Sequence, residues 1–161
     1  MELRVWRAGE PDCEAAFALV REYNDSVNVL MRDTAESFRR DYFGAGAGLW
    51  LAESDGSTVG CIALRPLKSR ESAGEIKRLY VRPEFRRAGA AAALLGELER
   101  YAAAYGYRWL YLDSKDDLEA AIRFYARHGY EPCERYNENL QATVFMRKAV
   151  GSGERTQGGP R

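Results

Sequence analysis

The chain has 161 residues, of which 46% are apolar and 30% charged, and its 24 basic side chains balance 24 acidic ones. That is enough chain for one domain with a real core and too little for two ordinary ones. The zero net charge excludes the overall basic footprint of a nucleic-acid binder, and no apolar run approaches the roughly 20 residues that span a membrane. The opening MELRVWRAGE lacks the apolar centre of a signal peptide. Three scattered cysteines, Cys13, Cys61 and Cys133, show no zinc spacing and read as reduced thiols of a cytoplasmic protein without a metal.

The alternation over Leu3 to Arg7 predicts a strand. Pro11 opens a helix with Ala15, Ala16, Leu19, Val20 and Tyr23 on one face. Asn24 to Met31 reads as irregular. Asp33, with Glu36 three residues on, resembles a capping box before a short helix that turns Phe38 and Tyr42 inward. Leu49 to Glu53 and Val59 to Arg65 flank Asp55-Gly56, a strong hairpin signal. Glu75 to Val81 is a fourth strand. A helix over Ala88 to Tyr105 carries Leu94, Leu98, Tyr101 and Tyr105 at helical spacing and stops at Gly106.

Trp109 to Asp113 is a fifth strand. Ser114 is the expected cap of a last helix with Asp116, Asp117 and Glu119 in its first turn, ending at Gly129. Tyr130 to Tyr136 and Ala142 to Arg147 close the pattern as two strands. The order β-α-α-β-β-β-α-β-α-β-β predicts a mixed α/β sheet with helices on both faces. Residues 1–149 read as a single domain and residues 150–161, Gly-rich and polar, as a disordered tail.

The stretch Glu75 to Ala93 carries the strongest functional signal. A strand meets Arg82-Pro83, a short loop Arg86-Arg87-Ala88-Gly89-Ala90-Ala91 follows, and an alanine-rich helix begins. Such a joint aims backbone N–H groups and the positive end of a helix at one spot, which is how proteins hold phosphate. Gly89 permits close backbone approach. Arg82, Arg86 and Arg87 form a local basic cluster that suits a compact anion.

A second motif stands downstream, AAIRFYARHGYE over residues 120–131. It resembles the A-x-x-x-Y-x-x-x-G-[FY] helix end of the GNAT superfamily of N-acetyltransferases. Val81, Pro83, Phe85, Arg86, Gly89, Ala91, Leu94 and Leu95 resemble that superfamily's acetyl-CoA motif. The resemblance covers about residues 48 to 148. It implies a GNAT-type, mostly antiparallel central sheet of about seven strands with acetyl-CoA as co-substrate. Leu79, Tyr80 and Val81 would offer backbone groups to the pantetheine arm, lying alongside like an added strand. Arg86, Arg87, Ala88, Gly89, Ala90 and Ala91 would hold the pyrophosphate. Tyr125 would protonate the leaving thiolate, and Glu75 occupies the position where some members keep a general base. Leu118 stands where relatives often have Asn, and Ala91 where Gly is commoner.

Plainer readings stand beside these. Glu75 would otherwise be an exposed strand-start residue paired with Lys77 or Arg78, and Tyr125 a core tyrosine. His128 is the single histidine and reads as a helix-end residue. Cys61 and Cys133 read as packed strand residues. The implied function is direct acetyl transfer to the primary amine of a small molecule. A protein or peptide acetyltransferase, and a non-catalytic acyl-CoA sensor on the same fold, are the alternatives. The acceptor segments would be Tyr23 to Tyr42 and Tyr136 to Leu140, where neither charge dominates. The sequence leaves a homodimer open.

Overall fold

A computed structural model describes residues 2–27 and 33–151. Most of the expected tail, and the end of the expected irregular stretch, lie outside the described residues. The strands are β1 (Leu3–Arg7), β2 (Gly48–Ser54), β3 (Ser57–Pro66), β4 (Ala73–Val81), β5 (Trp109–Ser114), β6 (Glu131–Pro132) and β7 (Val144–Ala149). The helices are α1 (Cys13–Val27), α2 (Ala35–Tyr42), α3 (Ala90–Tyr105) and α4 (Glu119–Arg127). One seven-stranded sheet has the order β1-β2-β3-β4-β5-β7-β6. β1–β2, β2–β3, β5–β7 and β6–β7 run antiparallel, and β4–β5 runs parallel. The expected element order and sheet class are those found.

The chain forms two compact units that share β4 and α3: Met1–Arg65 with Ile76–Tyr101, and Pro66–Glu75 with Ala102–Arg161. In the first, β2 and β3 are buried on both faces, so they read as continuous apolar runs rather than alternating ones. Leu49, Leu51, Cys61 and Ala63 pack with Ala16, Leu19, Val20, Phe38 and Tyr42 of α1 and α2. Each such leucine or phenylalanine, fully buried, contributes about 2 kcal/mol. Trp50, one residue out of phase, meets Tyr101 of α3, with ring centroids 5.5 Å apart. Asp55 and Gly56 both take positive φ, 49° and 85°, as a two-residue primed turn demands.

The second unit builds a core on one face of its strands from Leu67, Ala73, Tyr111, Tyr136, Ala142 and Phe145. The alternate residues Leu110, Leu112 and Met146 are buried as well. The parallel register sets Glu75 beside Tyr111. Because side chains alternate along a strand, Glu75, Tyr111 and Asp113 share this face.

Several boundaries differ from expectation. Thr34, not Asp33, caps α2: its hydroxyl accepts from Ser37 N, while Ser37 Oγ accepts from Thr34 N. The acid Asp33 is instead committed to an ion pair with Arg78. Ser114 ends β5 in register with Val144, and α4 begins at Glu119 behind Leu118, which makes no side-chain cap bond. Tyr105 is 51% exposed rather than inward. Of the expected strand Tyr130 to Tyr136, Glu131–Pro132 pairs with β7 as a strand and Cys133 N adds one bond to the Phe145 carbonyl at 2.8 Å.

Candidate active site

The end of β4 turns through a one-turn 3-10 helix, Pro83–Phe85, into the loop that opens α3. Arg86 is extended, with φ −70° and ψ 152°. Arg87 then lies in the left-handed region with φ 72°, and Gly89 follows with φ 86°. A non-glycine residue there costs about 1–2 kcal/mol, and successive turns of this kind aim N–H groups inward as an anion-binding concavity. No carbonyl among the described residues accepts from the N–H groups of Arg87 to Ala92. Six N–H groups of the loop and the first turn of a 16-residue helix are therefore left without a carbonyl acceptor.

The basic cluster is smaller than the sequence suggests. Arg82 makes a two-pronged ion pair with Glu22 at 3.1 and 2.8 Å and donates to Thr58 O at 2.9 Å. It ties the end of β4 to α1 rather than facing a ligand. The Arg82 hydrogen bond holds the Glu22 carboxyl below its ordinary value. Arg86 Nε donates to the Val81 carbonyl at 2.7 Å, which folds this side chain back along β4, its guanidinium 5.9 Å from the Tyr80 ring centroid. Close approach of β3 and β4 here needs Gly60, since a Cβ would stand 2.9 Å from the Tyr80 carbonyl.

Glu75 is not an exposed strand-start residue. It is 2% exposed, and Arg78 is paired elsewhere, with Asp33. The Tyr136 hydroxyl donates to Glu75 Oε2 at 2.7 Å, and Asn137 Nδ2 donates to the same oxygen at 3.2 Å. Asn137 Nδ2 also donates to Asp113 Oδ2 at 2.6 Å, and Asn139 Nδ2 does so at 3.3 Å. Burial, and then the Glu75 carboxylate, push the Tyr136 hydroxyl far above the ordinary tyrosine value, so it stays a donor. Two carboxylates thus face one network that runs from the buried Glu75 and Tyr136 to the exposed Asn139. The sequence reading named Tyr136 to Leu140 as an acceptor segment but did not foresee its hold on Glu75. Phase within β5 groups Asp113 with Tyr111, and the β4–β5 register then sets that face beside Glu75.

Tyr125 lies in the same compact unit as Glu75, on α4, and is 6% exposed. Its ring meets Phe124 and Tyr130 edge-on, each with centroids 5.4 Å away. Leu79, Tyr80, Val81 and the loop Arg86 to Ala91 belong to the other unit. His128 Nδ1–H donates to the Phe124 carbonyl at 2.8 Å, a helix-end contact. Burial pushes the Cys61 thiol up to about 12, which removes it as a nucleophile at neutral pH. Among the described residues no group of three or more His, Cys, Asp or Glu could hold a metal ion, and no helix is long and apolar enough to cross a membrane.

Residues 14–130 match the Acetyltransferase (GNAT) family. The chain belongs to this family. It is 35% identical over 108 residues, 65% of its length, to an uncharacterized N-acetyltransferase of Schizosaccharomyces pombe. The match spans 66% of that protein and about half the length of further curated relatives from mouse and rat. The fold is that of a GNAT-family acetyltransferase from Staphylococcus aureus Mu50, with a TM-score of 0.79 and 17% identity over 92% of this chain and 99% of that one. It is also that of the PaiA N-acetyltransferase of Thermoplasma acidophilum, solved in complex with coenzyme A, with a TM-score of 0.69 and 18% identity over 92% and 99% of the two chains.

Proposed function

We propose that the chain transfers an acetyl group from acetyl-CoA to the primary amine of a small molecule, directly and in a ternary complex. The observation that carries this is the row of unaccepted N–H groups from Arg87 to Ala92, set by the left-handed Arg87 and Gly89. Arg86, Arg87, Ala88, Gly89, Ala90 and Ala91 hold the pyrophosphate. Backbone groups of Leu79, Tyr80 and Val81 take the pantetheine arm. The thioester supplies an activated acetyl carbon. Glu75 accepts a proton from the ammonium form of the acceptor, directly or through water, and frees its lone pair. The nitrogen–carbon bond forms and the carbon–sulfur bond breaks. Tyr125 gives its proton to the departing sulfur and recovers one, through solvent, from the new amide nitrogen. The inert Cys61 supports direct transfer over an acyl-cysteine route. Free cysteines at all three positions support a reducing, cytoplasmic setting.

Thiol release from acetyl-CoA tests the reading against an amino acid, a polyamine, an aminoglycoside and a peptide with a free N-terminus. Release with a small amine is expected. Release with the peptide alone makes the chain a peptide acetyltransferase. Binding of acetyl-CoA without release to any amine makes it a sensor.

A further inference from the structure

Glu75 is held by side chains from a loop distant in sequence, and the loop is itself braced. Arg135 Nη1 donates to the carbonyls of Asn137 and Asn139 at 3.4 and 3.0 Å, and its Nη2 donates to Ala142 O at 3.0 Å. The guanidinium sits 4.6 Å from the Phe145 ring centroid. Asn137 Oδ1 accepts from Asn139 N at 3.1 Å, which fixes the orientation of the amide: oxygen toward the backbone, nitrogen toward the two acids. That NH2 group has two hydrogens, and its two contacts are Glu75 Oε2 and Asp113 Oδ2. The Tyr136 ring is wedged edge-on between Tyr111 and Phe145, at 5.1 and 5.5 Å, so its hydroxyl cannot swing away from Glu75 without repacking the core.

We propose that Tyr136 and Asn137 are positioning residues that lock the Glu75 carboxylate in one orientation through its Oε2 oxygen, with Asp113 anchoring Asn137 from the other side. A carboxylate free to rotate would present its lone pairs to the amine only part of the time. One held by two donors spends no free energy on orientation when the acceptor arrives. This inference rests on Glu75 being the base. It adds that the loop nominated to meet the acceptor also aims the base, so the two functions are mechanically one.

The test is a double-mutant cycle on the full chain, with Tyr136→Phe, Glu75→Gln and the pair, assayed with spermidine or a tetrapeptide amine, whichever is faster. Tyr136→Phe keeps the ring and its packing. It is expected to lower kcat about tenfold near neutral pH while leaving KM for acetyl-CoA unchanged. Activity is expected to recover at high pH, where the amine is already neutral. Added to Glu75→Gln, it is expected to change nothing further, because residues acting as one unit are not additive. Asn137→Ala, in a half-buried loop position, must show the same split and serves if Tyr136→Phe does not fold. A Glu75→Gln variant that loses activity while Tyr136→Phe or Asn137→Ala stays fully active, or adds its full effect to Glu75→Gln, overturns the positioning role alone. A fully active Glu75→Gln overturns the base and the positioning role together.

Discussion

Arg78 sits in the middle of β4 with φ 60° and grips Asp33 through two bonds, Nε to Oδ2 at 2.8 Å and Nη2 to Oδ1 at 3.3 Å. Both side chains are largely buried, at 12% and 5% exposure. A left-handed arginine inside a strand is costly, and its fork pins the residue that leads into α2. Asp33→Asn leaves a buried guanidinium short of its counter-charge, so unfolding in urea should show a loss of about 3 kcal/mol. A loss under 1 kcal/mol would mean that the guanidinium finds water or another acid.

Tyr42 offers the opposite case. Its hydroxyl is buried and has no partner among the described residues. A buried unsatisfied hydroxyl costs on the order of 1 kcal/mol or more. Tyr42→Phe should therefore stabilise the protein by about 1 kcal/mol at neutral pH. Burial also pushes the Tyr42 hydroxyl above its ordinary value. A raised folded value leaves stability intact below the unfolded value of about 10 and removes it as pH rises past that point. Denaturation midpoints should fall beyond pH ~10 for the wild type and fall less for Tyr42→Phe. Tyr136 acts with the same sign.

Gly89→Glu should abolish acetyl-CoA binding in calorimetry. A Cβ at this position meets no protein atom within 4 Å, but φ of 86° disfavours any side chain, and the carboxylate would repel a phosphate. Near-normal affinity in a folded Gly89→Glu variant would remove the loop from the pyrophosphate site.

Tyr125→Phe deletes one hydroxyl from a ring packed among aromatics. Affinity for acetyl-CoA should hold while kcat falls on the order of 10²-fold, as for loss of one general acid. An unchanged kcat would reduce Tyr125 to a packing residue.

Local chemistry made much of this fold legible. Asp55-Gly56 could hardly be anything but a hairpin turn, and the apolar phase of α1 and α2 named Leu19, Val20, Phe38 and Tyr42 as core, as they are. Motif alone nominates Tyr125 and the Arg87 to Ala91 loop as candidate site residues. What was not legible depended on partners far away in sequence. Tyr130 to Tyr136 has strand composition, yet backbone pairing with β7 stops after the Cys133 N–H bond to the Phe145 carbonyl, and the Arg135 and Tyr136 side chains turn to a loop carbonyl and to Glu75. Arg82 looked like an anion ligand because nothing local reveals Glu22, sixty positions earlier in the chain. Composition reports what a side chain can do, and only tertiary packing decides which partner it meets.

The Arg135 brace has a consequence for protein engineering. It supports the loop through main-chain oxygens, while Glu138 faces solvent and Leu140 is 91% exposed. A combinatorial library restricted to Glu138 and Leu140 would vary what the loop displays and leave its scaffold alone. If the loop meets the acceptor as proposed, selection for new amines could then proceed without each round first having to rescue folding.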